Sequence, residues 1–159
     1  MFEYDKMLLQ SWWVGVDPGT CASRPSKMGY AAFLDSEWTE VHYLPCHEIR
    51  DCQIALKGLR DVILGICIEE VPAHFGKPHG DSCRWHDRCL WLDLRHSMVA
   101  PVKWQKLLGE HKKKGDKKSS IEYVKAVHPG ALGDSIHKNT GKADALCLAL
   151  YAEQHFKRR

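Results

Sequence analysis

The first apolar block, Trp12 to Val16, is a run of aromatic and β-branched residues halted by Asp17-Pro18-Gly19, and it predicts a buried strand entering a turn. Gly29 to Leu34 predicts a second strand and Trp38 to Leu44 a third, with so few polar residues between them that a hairpin is expected. The period then lengthens. Between His47 and Arg60, the residues Ile49, Cys52, Leu56 and Leu59 recur near one face, which predicts an amphipathic helix. Asp61 to Val71 stays apolar until Glu69-Glu70 and predicts a fourth strand. Ser82 to His96, rich in Trp, Leu and Arg, predicts a helix, Ser97 to Val102 a short strand, and Lys103 to Gly109 a helical turn. Ser119 or Ser120 can cap a helix that runs to His128 and stops at Pro129-Gly130. Gly141 to Phe156 closes the chain as a strongly patterned helix, with Asp144 in its first turn.

A hairpin leading into β-α-β units implies an α/β fold. The expectation is a mixed five-stranded sheet, strands 1–3 antiparallel and the later strands parallel, flanked by helices on both faces. No repeat, low-complexity tract or linker divides residues 1–159, so a single domain is expected. Hydrophobic residues at 44% and charged residues at 27% exclude a disordered chain. The longest apolar runs, such as Val62 to Ile68, are too short to cross a bilayer. Glu3 and Asp5 stand where a secretory signal would need an apolar core, so a cytoplasmic protein with no membrane partner is expected. The seven cysteines are an odd number and read as reduced thiols.

A net charge of +3 identifies no partner, but its distribution is uneven: Lys112, Lys113, Lys114, Lys117 and Lys118 crowd one short segment, and Lys157, Arg158 and Arg159 end the chain. Three carboxylates have the opposite character. Asp17 ends the first strand, Glu69 nears the end of the fourth, and Asp144 opens the last helix, each beside an apolar run. Taken singly, each has an ordinary structural reading, and Asp144 suits a helix N-terminus by dipole alone. Brought together, they would repel unless protonated or bridged by a cation, and hard oxygen donors favour Mg²⁺ or Mn²⁺. Two such ions, roughly 3.5–4 Å apart, are the apparatus of phosphodiester hydrolysis.

Val14-Gly15-Val16-Asp17-Pro18-Gly19 resembles the opening strand of RuvC-type Holliday-junction resolvases, members of the RNase H-like superfamily. Gly29-Tyr30-Ala31 resembles the strand that follows, and Ile68-Glu69-Glu70-Val71 the second acidic motif. Lys142-Ala143-Asp144-Ala145-Leu146-Cys147-Leu148-Ala149 resembles the last motif. Ala100-Pro101-Val102-Lys103-Trp104-Gln105-Lys106 and Asp116-Lys117 are similar to segments of phage-type members, for which the compartment would be the host cytoplasm. The resemblance implies an RNase H-like nuclease domain that cuts four-way DNA junctions as a homodimer with two Mg²⁺ ions per site, Mn²⁺ substituting, held by Asp17, Glu69 and Asp144. It also implies that Lys103 and Lys117, or Lys118 if the alignment slips by one, meet DNA near the cut, with Lys112, Lys113 and Lys114 holding the backbone.

The family carries a fourth ligand three positions before the last Asp, where this chain has Gly141; His137 is the first choice to replace it. Trp104 is expected in the core, and Trp85 and Trp91 on a helix that could form the subunit interface. Alternatives remain: cleavage of other branched DNA or RNA–DNA hybrids, a catalytically weak branched-DNA binder, or a zinc site built from His79, Cys83, His86 and Cys89, the last disfavoured by its spacing.

Overall fold

Strand β1 (Trp12–Gly19) is buried along nearly its whole length and organises the molecule in this computed structural model, which describes residues 3–19, 28–70, 79–112, 118–133 and 140–158. A short helix α1 (Tyr4–Met7) leads into it, and Trp12 Nε1 donates to the Met7 carbonyl at 2.8 Å. β2 (Met28–Asp35) and β3 (Val41–Pro45) follow as antiparallel neighbours. After α2 (Ile49–Gly58) and a 3₁₀ turn (Arg60–Val62), β4 (Ile63–Glu69) pairs parallel with β1 on its other side. Helix α3 (His79–Trp91) leads to β5 (His96–Val99), parallel to β4. The sheet order is therefore β3-β2-β1-β4-β5, the mixed sheet that the patterning implied. α4 (Pro101–Trp104), a 3₁₀ segment (Gln105–His111), α5 (Ser119–Val127) and α6 (Thr140–Lys157) complete the chain. Among the described residues no helix is long and apolar enough to cross a membrane.

Several boundaries differ from the sequence expectation for identifiable reasons. β1 does not stop at Asp17 but continues to Gly19, which pairs with Met28. Its pairing with β4 ends at Val16, so the N–H that Pro18 lacks is not needed by that neighbour. β3 starts at Val41 rather than Trp38. The Asp35 carboxylate accepts from Thr39 Oγ1 and the Glu40 N–H, both at 2.7 Å, and this turn holds Trp38 at φ +61°. α3 ends before His96 because the chain turns at Asp93, where φ is +54°. Neither Ser119 nor Ser120 caps α5: Lys118 stands at the cap, and both serines are buried within the first turn.

Alternation along the strands divides the core in two. On one face Trp12, Val14, Val16, Phe33, Ile66 and Ile68 pack beneath α2 and α3. Each is fully buried, a contribution of about 1.5–3 kcal/mol per side chain. On the other face Trp13, Ala32, Leu34 and Cys67 pack beneath α6, α5 and the α4 segment. There α6 lies unusually close. A Cβ on Gly15 would stand 2.1 Å from the Ala145 carbonyl oxygen and 2.2 Å from the Ala149 nitrogen, so helix backbone rests on strand backbone. Gly65 makes similar room for the Phe156 ring, 2.5 Å from where its Cβ would be.

Candidate active site

Parallel register sets the first two acids side by side. Val16 pairs with Ile68, so Asp17 and Glu69 occupy the next position on adjacent strands. Gly15 and Cys67, two residues earlier, face α6, and period-two alternation turns Asp17 and Glu69 the same way. The third acid comes from above. The Gly15 contact presses α6 onto β1 at Ala145, and Asp144 is the preceding residue. The three acids named from the sequence are thus brought together at one end of the sheet, close enough that Glu69 and Asp144 each push the Asp17 carboxyl toward its protonated form.

Asp17 is 9% exposed, while Glu69 and Asp144 are half-buried. Burial, then the negative charges of Glu69 and Asp144, raise Asp17 well above the ordinary carboxylate range, opposed by the Gly19 N–H, which donates to Asp17 Oδ1 at 3.0 Å. Glu69 is raised to about 7 by burial and by Asp144, and lowered by the indole N–H of Trp104, which donates to Glu69 Oε2. Asp144 is raised to about 6 by burial, against the neighbouring Ser120 hydroxyl, which is buried and meets no partner at full hydrogen-bond geometry. Glu69 is tied down further: its carbonyl accepts from Ser82 Oγ at 3.0 Å, and the next N–H, of Glu70, donates to Val99 O at 2.9 Å.

Asp144 is the fifth residue of α6 rather than part of its first turn, which holds no acid. The helix dipole is therefore not what places it. Trp104 is in the core as expected, at 2% exposure, and it also bonds Glu69, a contact for which the Ala100–Lys106 segment carries the only sequence signal. Gly141 has a physical reason. A Cβ there would stand 2.2 Å from the Met28 carbonyl oxygen, so the start of α6 lies too close to β2 for any side chain at that position.

Lys103, Lys112 and Lys118 are exposed. Lys103 adjoins Trp104, the partner of Glu69, and Lys118 precedes the serines at the start of α5, one of which faces Asp144. Lys113, Lys114, Lys117 and His137 lie outside the described residues. Three members of the zinc set do not converge: Cys83 is exposed, Cys89 is fully buried, and His86 Nδ1 is 3.0 Å from His96 Nε2; the His79 side chain lies outside the described residues. Trp85 belongs to the core, 7% exposed, whereas Trp91 is 82% exposed.

Among the described residues no three His, Cys, Asp or Glu side chains stand in ready metal-ligating geometry. Asp17 and Glu69 each have one oxygen engaged by an internal donor. The donor chemistry nevertheless fits a hard divalent cation: three mutually repelling carboxylates, none compensated by a protein cation within the trio. No protein-family model matches the chain, and no curated protein matches it in sequence.

Proposed function

We propose that this chain is a magnesium-dependent DNA endonuclease of RNase H-like fold, of the RuvC resolvase kind, acting on four-way junctions. The observation that carries this reading is the convergence of Asp17, Glu69 and Asp144, drawn from two adjacent strands and one helix, at the carboxyl ends of β1 and β4. The mixed sheet with β1 at its centre supports the fold assignment.

Asp17, Glu69 and Asp144 are the residues that would hold the cations. Bound divalent cations supply Lewis acidity and a water activated at neutral pH. The protein's own part is positioning. The Gly19 N–H and the Trp104 indole orient the two strand carboxylates. Exposed Lys103 and Lys118 attract phosphate from the rim without reading base sequence. A junction has two strands to cut, and a twofold dimer supplies two matched sites.

The test is cleavage of a synthetic four-way junction in Mg²⁺, Mn²⁺ or EDTA, with fork, duplex and RNA–DNA hybrid substrates in parallel. Metal-dependent cuts confined to the junction support the reading. Preference for the hybrid redirects it to another RNase H-like activity. A second reading, a branched-DNA binder with weak cleavage, draws on Gly141, where the packing of α6 on β2 leaves no room for a fourth ligand. Junction binding without metal-dependent cutting would favour it.

A further inference from the structure

A fourth charged side chain belongs to the same end of the sheet. Tyr30 pairs directly with Asp17 across β1 and β2, and both face α6. Directly opposed residues have Cβ atoms about 4.5–5.5 Å apart, so the tyrosine ring flanks Asp17 on the side away from Glu69. Above it lies Lys142, two residues before Asp144. Its ammonium sits 5.4 Å from the Tyr30 ring centroid and 5.4 Å from that of Tyr43. The Tyr43 ring is itself held, its hydroxyl donating to the Ala131 carbonyl at 3.0 Å. The close seat of Gly141 on β2, 3.1 Å from a Tyr30 ring carbon to the site of a Cβ, fixes where the next residue goes.

Two ring faces hold a cation without neutralising it, as a carboxylate partner would. Among the described residues the Lys142 ammonium meets these rings and no carboxylate, although three acids lie close by. It is half-buried, so its position is restrained while the charge stays reachable. Lys103, next to the Trp104 that bonds Glu69, stands toward the β4–β5 side. The acids therefore lie between cations on two sides.

The geometry points to Lys142, seated on Tyr30 and Tyr43, as a phosphodiester-binding residue that anchors the nucleic-acid strand on the β2–β3 side of the acids. This rests on the nuclease reading and extends it to the path of the strand, which crosses the end of the sheet from β3 toward β5.

The experiment is equilibrium binding of a labelled four-way DNA junction in Ca²⁺, over a salt series, by wild type, Lys142→Gln and Lys142→Arg, with thermal melts to confirm folding. Lys142→Gln is expected to bind about tenfold more weakly, with a log–log salt slope shallower by about 1, and Lys142→Arg to bind within about twofold of wild type. Unchanged affinity and slope in Lys142→Gln overturn the inference alone. Equal weakening in both variants overturns it too, because a positive charge that can sit on the same rings would then fail to restore binding. Failure of the wild type to bind DNA overturns the nuclease reading beneath it.

Discussion

On one face of the sheet α6 lies against strand backbone; on the other, α2 and α3 stand off on large side chains. The α6 face is built from Gly15, Ala145 and Ala149, with almost no atoms between helix and strand. The opposite face is filled by Trp12, Phe33, Leu56 and Ile66, and it leaves a groove of about 560 Å³ between α2 and α3, bordered by Ile49, Arg88 and Trp91. A backbone contact has no side-chain rotamers with which to adjust, whereas an interface of large side chains can repack around a change. The acids stand on the face that tolerates no slack.

The acid face is most sensitive at Asp17. Asp17→Asn is expected to reduce junction cleavage to the no-enzyme background while leaving junction binding intact, read on a sequencing gel beside a binding titration. The same variant should melt higher than wild type without metal, because it removes a carboxyl whose ionised form is disfavoured by burial and by Glu69 and Asp144; each kcal/mol relieved raises Tm by about 2–4 °C.

Next in size is a matched pair of packing variants. Gly15→Ala drives a methyl into the Ala145 carbonyl and is expected to cost about 3 kcal/mol, with cleavage per folded molecule lost as Asp144 is displaced. Leu56→Ala, on the opposite face, should cost about 2–4 kcal/mol in denaturant melts yet leave cleavage per folded molecule unchanged. Equal cleavage by the two would show that tight packing on the α6 face does not position the site.

Proton binding by the acids also sets how stability changes with pH. Glu69 and Asp144, at about 7 and about 6 in the folded protein, and Asp17, also raised, keep protons that the unfolded chain releases near pH 4. The folded state therefore binds more protons between these values, and metal-free stability is expected to fall as pH rises from about 4 to about 7. Added Mn²⁺ should restore progressively more stability toward the upper end of that range, read as a Tm shift. Constant Tm with pH in the absence of metal would remove the acid cluster from the energetics.

Trp104→Phe keeps an aromatic ring of smaller volume and removes the N–H from Glu69, for an expected loss of about 1.5 kcal/mol or more and an upward shift of the acidic limb of the cleavage pH profile. The smallest effect is expected at Trp91→Ser on the looser face, with stability changed by less than about 0.5 kcal/mol. If the exposed tryptophan seats a second subunit, sedimentation will show the variant as a monomer.

The order of strands and helices was legible because it rests on local periodicity, and so were Asp17, Glu69 and Asp144, each conspicuous as an acid beside an apolar run. What was not legible depends on partners distant in sequence. Pro18 reads as a strand terminator, and only the end of pairing with β4 at Val16 makes it tolerable inside β1. Ser119 and Ser120 read as caps, but tertiary burial turns Ser120 toward Asp144. The burial of Trp104 leaves a mark in hydropathy, and its hydrogen bond to Glu69 does not. Gly141 read only as a missing ligand; that it is the point where α6 touches β2 is a fact of packing.

The seating of α6 on Gly15 also bears on when the three acids come together during synthesis. The centre of the sheet is made early and the helix that completes the acid trio last, so a growing chain carries Asp17 and Glu69 long before Asp144 can dock. Contacts between segments so far apart in sequence carry a loop-closure entropy cost and slow folding. Until α6 docks, a ribosome-bound chain holds two of the three acids without the third beside them.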